Sequence, residues 1–239
     1  MSPVKIRTSR LLVALLLLAL WPMAASAQGT AWEKHMEAAT RAYQQGHYAE
    51  AEKSFQAALK EAERFGPEDP RLATTLNNLA GVYYAQGRYT EAEPVYKRAL
   101  AIQEQALGPD HPYVATGLNN LAGLYYAQGR YAEVERLLKR ALAIVEQALG
   151  PQDPRLAISL NNLASLYQAQ GRYTEAEPLY KRALGIWENA LGPDHLDVAE
   201  TLESYAALLR KTKREREAAK METRAKAIRA KHAPKNRTM

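Results

Sequence analysis

The chain has 239 residues, no cysteine and a formal charge of +6, so neither a disulfide framework nor thiol chemistry is open to it. The charge is segregated: residues 28–209 carry 17 Lys and Arg against 23 Asp and Glu, whereas residues 210–239 carry 12 against 3. The body is mildly acidic and the end basic, so stability must come from packing and the whole-chain isoelectric point describes neither part.

In chain order the first expected element is a leader. Lys5, Arg7 and Arg10 precede the apolar run from Leu11 to Trp21, and Ala25-Ser26-Ala27 follow. Basic region, short apolar region and small-residue cleavage site in that order mark a secretory signal. A retained anchor is the rival reading, but the run from Leu11 to Trp21 is too short to cross about 30 Å of hydrocarbon. Residues 1–27 are therefore expected to be a signal peptide cleaved near Ala27, which sends the chain from Gln28 onward to the periplasm or the exterior.

From there the chain repeats itself. Gly-Pro recurs at a constant interval, as Gly66-Pro67, Gly108-Pro109, Gly150-Pro151 and Gly192-Pro193, and Gly87, Gly129 and Gly171 fall midway between successive pairs. Both halves of each period are rich in Ala, Leu, Glu, Gln, Lys and Arg without strict alternation, which predicts two helices per period. A first, weaker hairpin is expected over 31–65, with Gly46-His47-Tyr48 as its turn and Ala51, Phe55 and Ala58 on its second helix. Regular hairpins follow over 69–107, 111–149 and 153–191.

In these, Asp69-Pro70 and Asp153-Pro154 place a capping carboxylate before a first-turn proline. In Asp110-His111-Pro112 either residue before the proline can cap. Leu72, Leu76, Leu79, Ala80 and Tyr83 draw one apolar stripe, and Gly87 stops the helix. The second helix is expected to begin with a capping box, Thr90-Glu91-Ala92-Glu93, repeated as Thr174-Glu175-Ala176-Glu177. Pro94 and Pro178 are then first-turn prolines that the helix tolerates. The final hairpin, 195–230, keeps Leu202, Tyr205, Ala206 and Leu209, but Lys211-Thr212-Lys213-Arg214 replaces the AQGR turn and Glu222 stands where other copies have Phe, Tyr or Leu. Residues 231–239 are expected to be a basic disordered tail.

A fixed period of helix pairs describes an αα-hairpin array, with each pair contacting its neighbours. The pattern resembles the tetratricopeptide repeat in the 42-residue form found in kinesin light chain and in many bacterial proteins. The family's succession of large residue, Leu, small residue, Tyr, Ala, aromatic and Ala falls on Leu76, Leu79, Ala80, Tyr83, Ala92, Tyr96 and Ala99. It falls again on Leu118, Leu121, Ala122, Tyr125, Val134, Leu138 and Ala141, and on Leu160, Leu163, Ala164, Tyr167, Ala176, Tyr180 and Ala183. Val134 and Leu138 depart from the pattern in volume but not in polarity. The resemblance implies an all-α, right-handed solenoid of about five hairpins, covering 28–230, whose concave side binds an extended peptide or protein partner.

Removing the packing letters leaves Asn77, Asn119 and Asn161 one period apart, each followed by a second asparagine. Asparagine is a poor interior helix residue, and a carboxamide can both donate to and accept from a partner's main chain. By the resemblance these three amides are expected to line the partner groove; the competing reading is that they tie neighbouring helices together or reflect recent duplication. Tyr84, Tyr126 and Gln168 follow two turns further along each first helix, on nearly the same face, and are the remaining groove candidates. Arg88, Arg130 and Arg172 recur in the turns, either as carboxylate ligands or as solvated surface.

No catalytic or metal site is expected. The histidines His35, His47, His111, His195 and His232 have no ligand spacing, and neither a nucleophile–base pair nor a phosphate loop is present. No cofactor follows, and an exported chain has no nucleic-acid partner. The basic residues from Lys211 to Arg237 suggest an alternative role: weak contact with an anionic envelope surface, with the repeats as spacer. Partner identity and oligomeric state stay open at this point.

Overall fold

The computed structural model describes residues 30–233. The expected leader at 1–27 lies outside them, as does the chain beyond Ala233. Among the described residues the chain is all helix and connection: α1 (Ala31–Gln44), α2 (Tyr48–Ala62), a 3-10 turn (Glu63–Phe65), α3 (Pro70–Ala85), α4 (Tyr89–Leu107), α5 (Pro112–Ala127), α6 (Tyr131–Leu149), α7 (Pro154–Ala169), α8 (Tyr173–Leu191), α9 (Leu196–Lys211) and α10 (Glu215–His232). These are the five helix pairs that the period predicts, and α10 carries helix as far as His232, into the segment expected as tail.

The first helices start as their sequences direct. Asp69 and Asp153 accept from the amides of Arg71 and Arg155 at 2.8 and 2.9 Å, each with proline in the first turn. His111 and His195 do the same work through Nδ1, accepting from Tyr113 and Asp197 at 3.2 and 3.3 Å. The second helices correct an expectation. α4 and α8 begin at Tyr89 and Tyr173, with Arg88 and Arg172 as N-caps that make no side-chain cap bond. The Thr90 and Thr174 capping boxes are therefore not formed, because both threonines are already inside the helix. Pro94 and Pro178 consequently sit in the second turn of helices that continue through them. A true capping box forms at Thr30 and Glu33 instead: Thr30 Oγ1 accepts from Glu33 N and Glu33 Oε2 accepts from Thr30 N at 3.2 and 2.6 Å.

The four glycines closing the hairpins, Gly46, Gly87, Gly129 and Gly171, adopt left-handed φ of 75–78°, which costs glycine little. The fifth turn places Lys213 at φ 62°, a conformation that L side chains enter at a cost of about 1–2 kcal/mol.

The described chain divides within α6 into two compact units, 30–137 and 138–233. In the first, Trp32, Met36, Phe55, Leu72, Leu76 and Leu79 belong to one buried cluster; each such side chain removed from water contributes about 1.5–3 kcal/mol. In the second, Leu156, Leu160, Leu166, Tyr180, Ile186 and Leu202 are fully buried. Within each unit the first helices of successive pairs touch directly. Trp32 Nε1 of α1 donates to Thr75 Oγ1 of α3 at 2.9 Å, and Asn120 of α5 reaches Asn77 of α3 at 3.0 Å. In the second unit Asn161 of α7 reaches Thr201 of α9 at 2.7 Å. No described helix is long and apolar enough to cross a membrane.

Candidate functional site

That direct contact decides the fate of the asparagines. Asn77, Asn119 and Asn161 are 5%, 8% and 4% exposed, so all three lie inside the chain. Asn77 Oδ1 accepts from Asn120 Nδ2, Asn119 Nδ2 donates to the Ala115 carbonyl one turn back at 2.9 Å, and Asn161 Nδ2 donates to Thr201 Oγ1. The Thr201 hydroxyl donates in turn to the Asp197 carbonyl at 2.9 Å. The expectation of an open amide ladder is therefore corrected: all three side chains are buried, Asn77 and Asn161 tie neighbouring first helices together, and the Asn119 bond stays within its own helix. The physical reason is that, where α3 packs on α5 and α7 on α9, the side facing the neighbouring helix is covered by it, whatever chemistry it carries.

Tyr84, Tyr126 and Gln168 are placed differently: all three are half-buried and keep an exposed edge. Tyr84 pairs with Tyr89 at a centroid distance of 5.6 Å and Tyr126 with Tyr131 at 5.5 Å. The first hairpin has the same device, Tyr43 with Tyr48 at 5.5 Å. Tyr48 and Tyr131 are among the exposed large hydrophobic side chains, at 36% and 37%. Burial and the neighbouring hydroxyls of Tyr48 and Tyr84 push the Tyr43 phenol up to about 12; burial and the paired tyrosine likewise raise Tyr84 and Tyr126. These hydroxyls stay protonated and available as donors. Gln168 differs, its Oε1 accepting from the Tyr180 hydroxyl at 3.0 Å. Sequence reading singled out Tyr84 and Tyr126 but missed the partner rings. The signal was present as a second tyrosine just across each turn glycine, at Tyr89 and Tyr131.

The turn arginines are structural. Arg130 lies 3.7 Å over the Tyr125 ring, bonds Glu133 in the first turn of α6 and reaches back to Glu93 of α4, both at 3.0 Å. Arg88 repeats this over Tyr83 with Glu91 and Glu52, and Arg214 joins Glu217 to Glu177 of α8. Each clasp links one hairpin to the one before. The Lys97 ammonium first, then Arg130 and the Tyr125 hydroxyl, outweigh desolvation and hold Glu93 down to about 2. Arg214 first, then Lys181 and Tyr205, do the same for Glu177, also to about 2. Glu222, odd in sequence, faces outward and accepts from Arg210 Nε and Nη2 at 2.7 and 2.8 Å.

Among the described residues no group of three or more potential ligands could hold a metal, and His111 and His195 are committed to capping. What the fold leaves partly accessible includes the paired tyrosines on successive helix pairs, and the arrangement defines the class: a helix-pair repeat protein. The chain belongs to the tetratricopeptide repeat family, whose model matches residues 35–105, 71–147 and 155–231. This is a family of non-catalytic scaffolds, and fold and family together make the chain a protein-interaction scaffold and not an enzyme.

Solved structures extend the likeness. BtubC (BKLC) from P. vanneervenii is 28% identical with a TM-score of 0.72, over 84% of this chain and 81% of that one. A putative kinesin light chain of nearly identical repeats from Podosopora anserina is 26% identical with a TM-score of 0.69, over 86% and 98%. RapI in its apo form, 16% identical with a TM-score of 0.71 over 85% and 72%, shares the fold alone. No curated protein matches the sequence.

Proposed function

We propose that the chain is a scaffold of the 42-residue, kinesin-light-chain-like type that holds an extended peptide segment of a protein partner along its first helices. In the first unit the contacts would come from Tyr84 and Tyr126, with the Asn77–Asn120 bond behind them holding α3 against α5; in the second unit, taken by itself, Gln168 would be the contact and the Asn161–Thr201 bond would hold α7 against α9. The observation that carries this reading is the contrast in burial: the residues the fold requires are interior, while paired tyrosines keep exposed edges, and such rings are the usual anchors of interfaces. The constant interval between Gly-Pro pairs and the likeness to BtubC and to the putative kinesin light chain, both above 25% identity, support the subtype.

Capture of partners from the source cell by the full chain and by a Tyr84→Ala/Tyr126→Ala variant tests the site. Loss of capture with an unchanged helical circular dichroism signal supports it; full capture by the variant overturns it. Export rests on the pattern of residues 1–27 and is tested by the N-terminal residue of the protein recovered from its source, expected to be Gln28.

The basic end supports a smaller role. Arg224, Arg229 and Lys231 are already tied to Glu188, Glu203 and Asp194. Lys211, Lys213, Arg216, Lys220 and Lys226 are exposed and remain for contact with an anionic surface.

A further inference from the structure

The paired tyrosines are not demanded by the fold. The same two slots, one near the end of each first helix and one at the start of the second, hold Tyr43 and Tyr48, Tyr84 and Tyr89, and Tyr126 and Tyr131 in the first unit. In the second unit they hold Gln168 and Tyr173, then Arg210 and Glu215, the last two joined as an ion pair. Since an ion pair closes a hairpin in that position as well, three aromatic pairs in succession call for a reason beyond packing.

Their spacing and charge point to one. α1, α3 and α5 touch through the Trp32–Thr75 and Asn120–Asn77 bonds, so the pairs recur at the separation of packed helices, about 8–10 Å. A polyproline II chain rises about 3.1 Å per residue with three residues per turn, a repeat of about 9 Å. No guanidinium is left over beside the strip: Arg88 and Arg130 are turned onto Tyr83 and Tyr125, and each is held by two carboxylates, Glu52 and Glu91 for the first and Glu93 and Glu133 for the second. An acidic peptide finds no spare guanidinium there. A neutral polyproline II segment has no internal hydrogen bonds, so its carbonyls can accept from the tyrosine hydroxyls, and its rings can lie on the tilted aromatic faces.

We infer that the three tyrosine pairs of the first unit form a docking strip for a neutral, proline-rich segment of about nine residues, with a proline at every third position seated on one pair. This deepens the scaffold reading and rests on it: the strip is the site of Tyr84 and Tyr126, now with a stated partner chemistry.

The test is titration of the full chain by calorimetry with three synthetic nine-residue neutral peptides. One carries proline at every third position, one carries the same residues with the prolines bunched together, and one has none. The expected result is binding of the first at least tenfold tighter than the third, with the second between them. Replacing Tyr48, Tyr89 and Tyr131 with alanine should weaken the first peptide at least tenfold while helicity and melting are kept. Should that variant melt early, the Tyr48→Phe/Tyr89→Phe/Tyr131→Phe form, which keeps the rings, is expected to lose only a few-fold. Equal affinity for the proline-free peptide overturns the inference while leaving a peptide scaffold intact. Absence of binding by all three also overturns it, and the partner capture described above then decides the scaffold reading separately.

Discussion

Replacing Asn77 with alanine separates the two roles available to the repeated asparagines. Asn77 is 5% exposed and its Oδ1 accepts from Asn120 Nδ2 at 3.0 Å across the α3–α5 contact. Deleting the acceptor leaves a buried amide donor without that partner, a loss of about 1–3 kcal/mol. Alanine returns a few tenths of a kcal/mol in helix propensity, roughly 0.5, so the net destabilisation should be about 1–2 kcal/mol. Removing both partners, Asn77→Ala with Asn120→Ala, takes away the stranded donor, and the double variant should cost less than the sum of the singles by about 0.5–2 kcal/mol. Urea unfolding of the parent, both singles and the double variant, followed by helical circular dichroism, completes the cycle. If the single variants unfold with the midpoint of the parent and the double variant is additive, the tie between helices is not real, and the amides return to being candidates for a ligand.

Acid should loosen the inter-hairpin clasps. Glu93 and Glu177 titrate at about 2 in the folded chain against an ordinary 4.5, so their contribution is full above the ordinary value and is lost as pH falls toward 2. Melting temperature should therefore hold steady above about pH 5 and drop below it, and Glu93→Gln should flatten that drop; an acid profile identical in the variant would count against the clasp. Lys213 occupies, at φ 62°, the position that Gly46, Gly87, Gly129 and Gly171 hold in the other turns. Lys213→Gly should raise stability by about 1 kcal/mol, read as a higher urea midpoint, and a lower midpoint would show that the lysine side chain has a role the turn geometry conceals.

The repeat was legible because its letters are physical instructions. Asp69-Pro70 starts a helix wherever it stands, and a glycine midway between successive Gly-Pro pairs stops one, so the helix pairs followed from local chemistry. Two local signals misled. The Thr90-Glu91-Ala92-Glu93 box has the right spacing, but Tyr89 already lies in the helix, and Glu91 and Glu93 go to Arg88, Lys97 and Arg130. The asparagines misled for a different reason: helical phase places a residue on the side of the first helix, yet only the lateral packing of α3 on α5 shows that this side is covered. Tyr84 and Tyr126, on nearly the same face by sequence, stay half-open because they sit near the helix ends, beside the turn. Their partner rings escaped notice because Tyr84 and Tyr89 belong to different helices, and periodicity within one helix cannot pair them.

In the proposed scaffold a partner lies on the tyrosine side of the first helices. Site-specific photo-crosslinking in the source cell tests it most directly, with the reactive side chain placed at Tyr84 or Tyr126 and, as comparison, at Lys60 or Ala101, exposed positions on α2 and α4. The account predicts one discrete adduct from Tyr84 and Tyr126 and none from the second-helix positions. Adducts from Lys60 and Ala101 alone, or equally from all four, would contradict it.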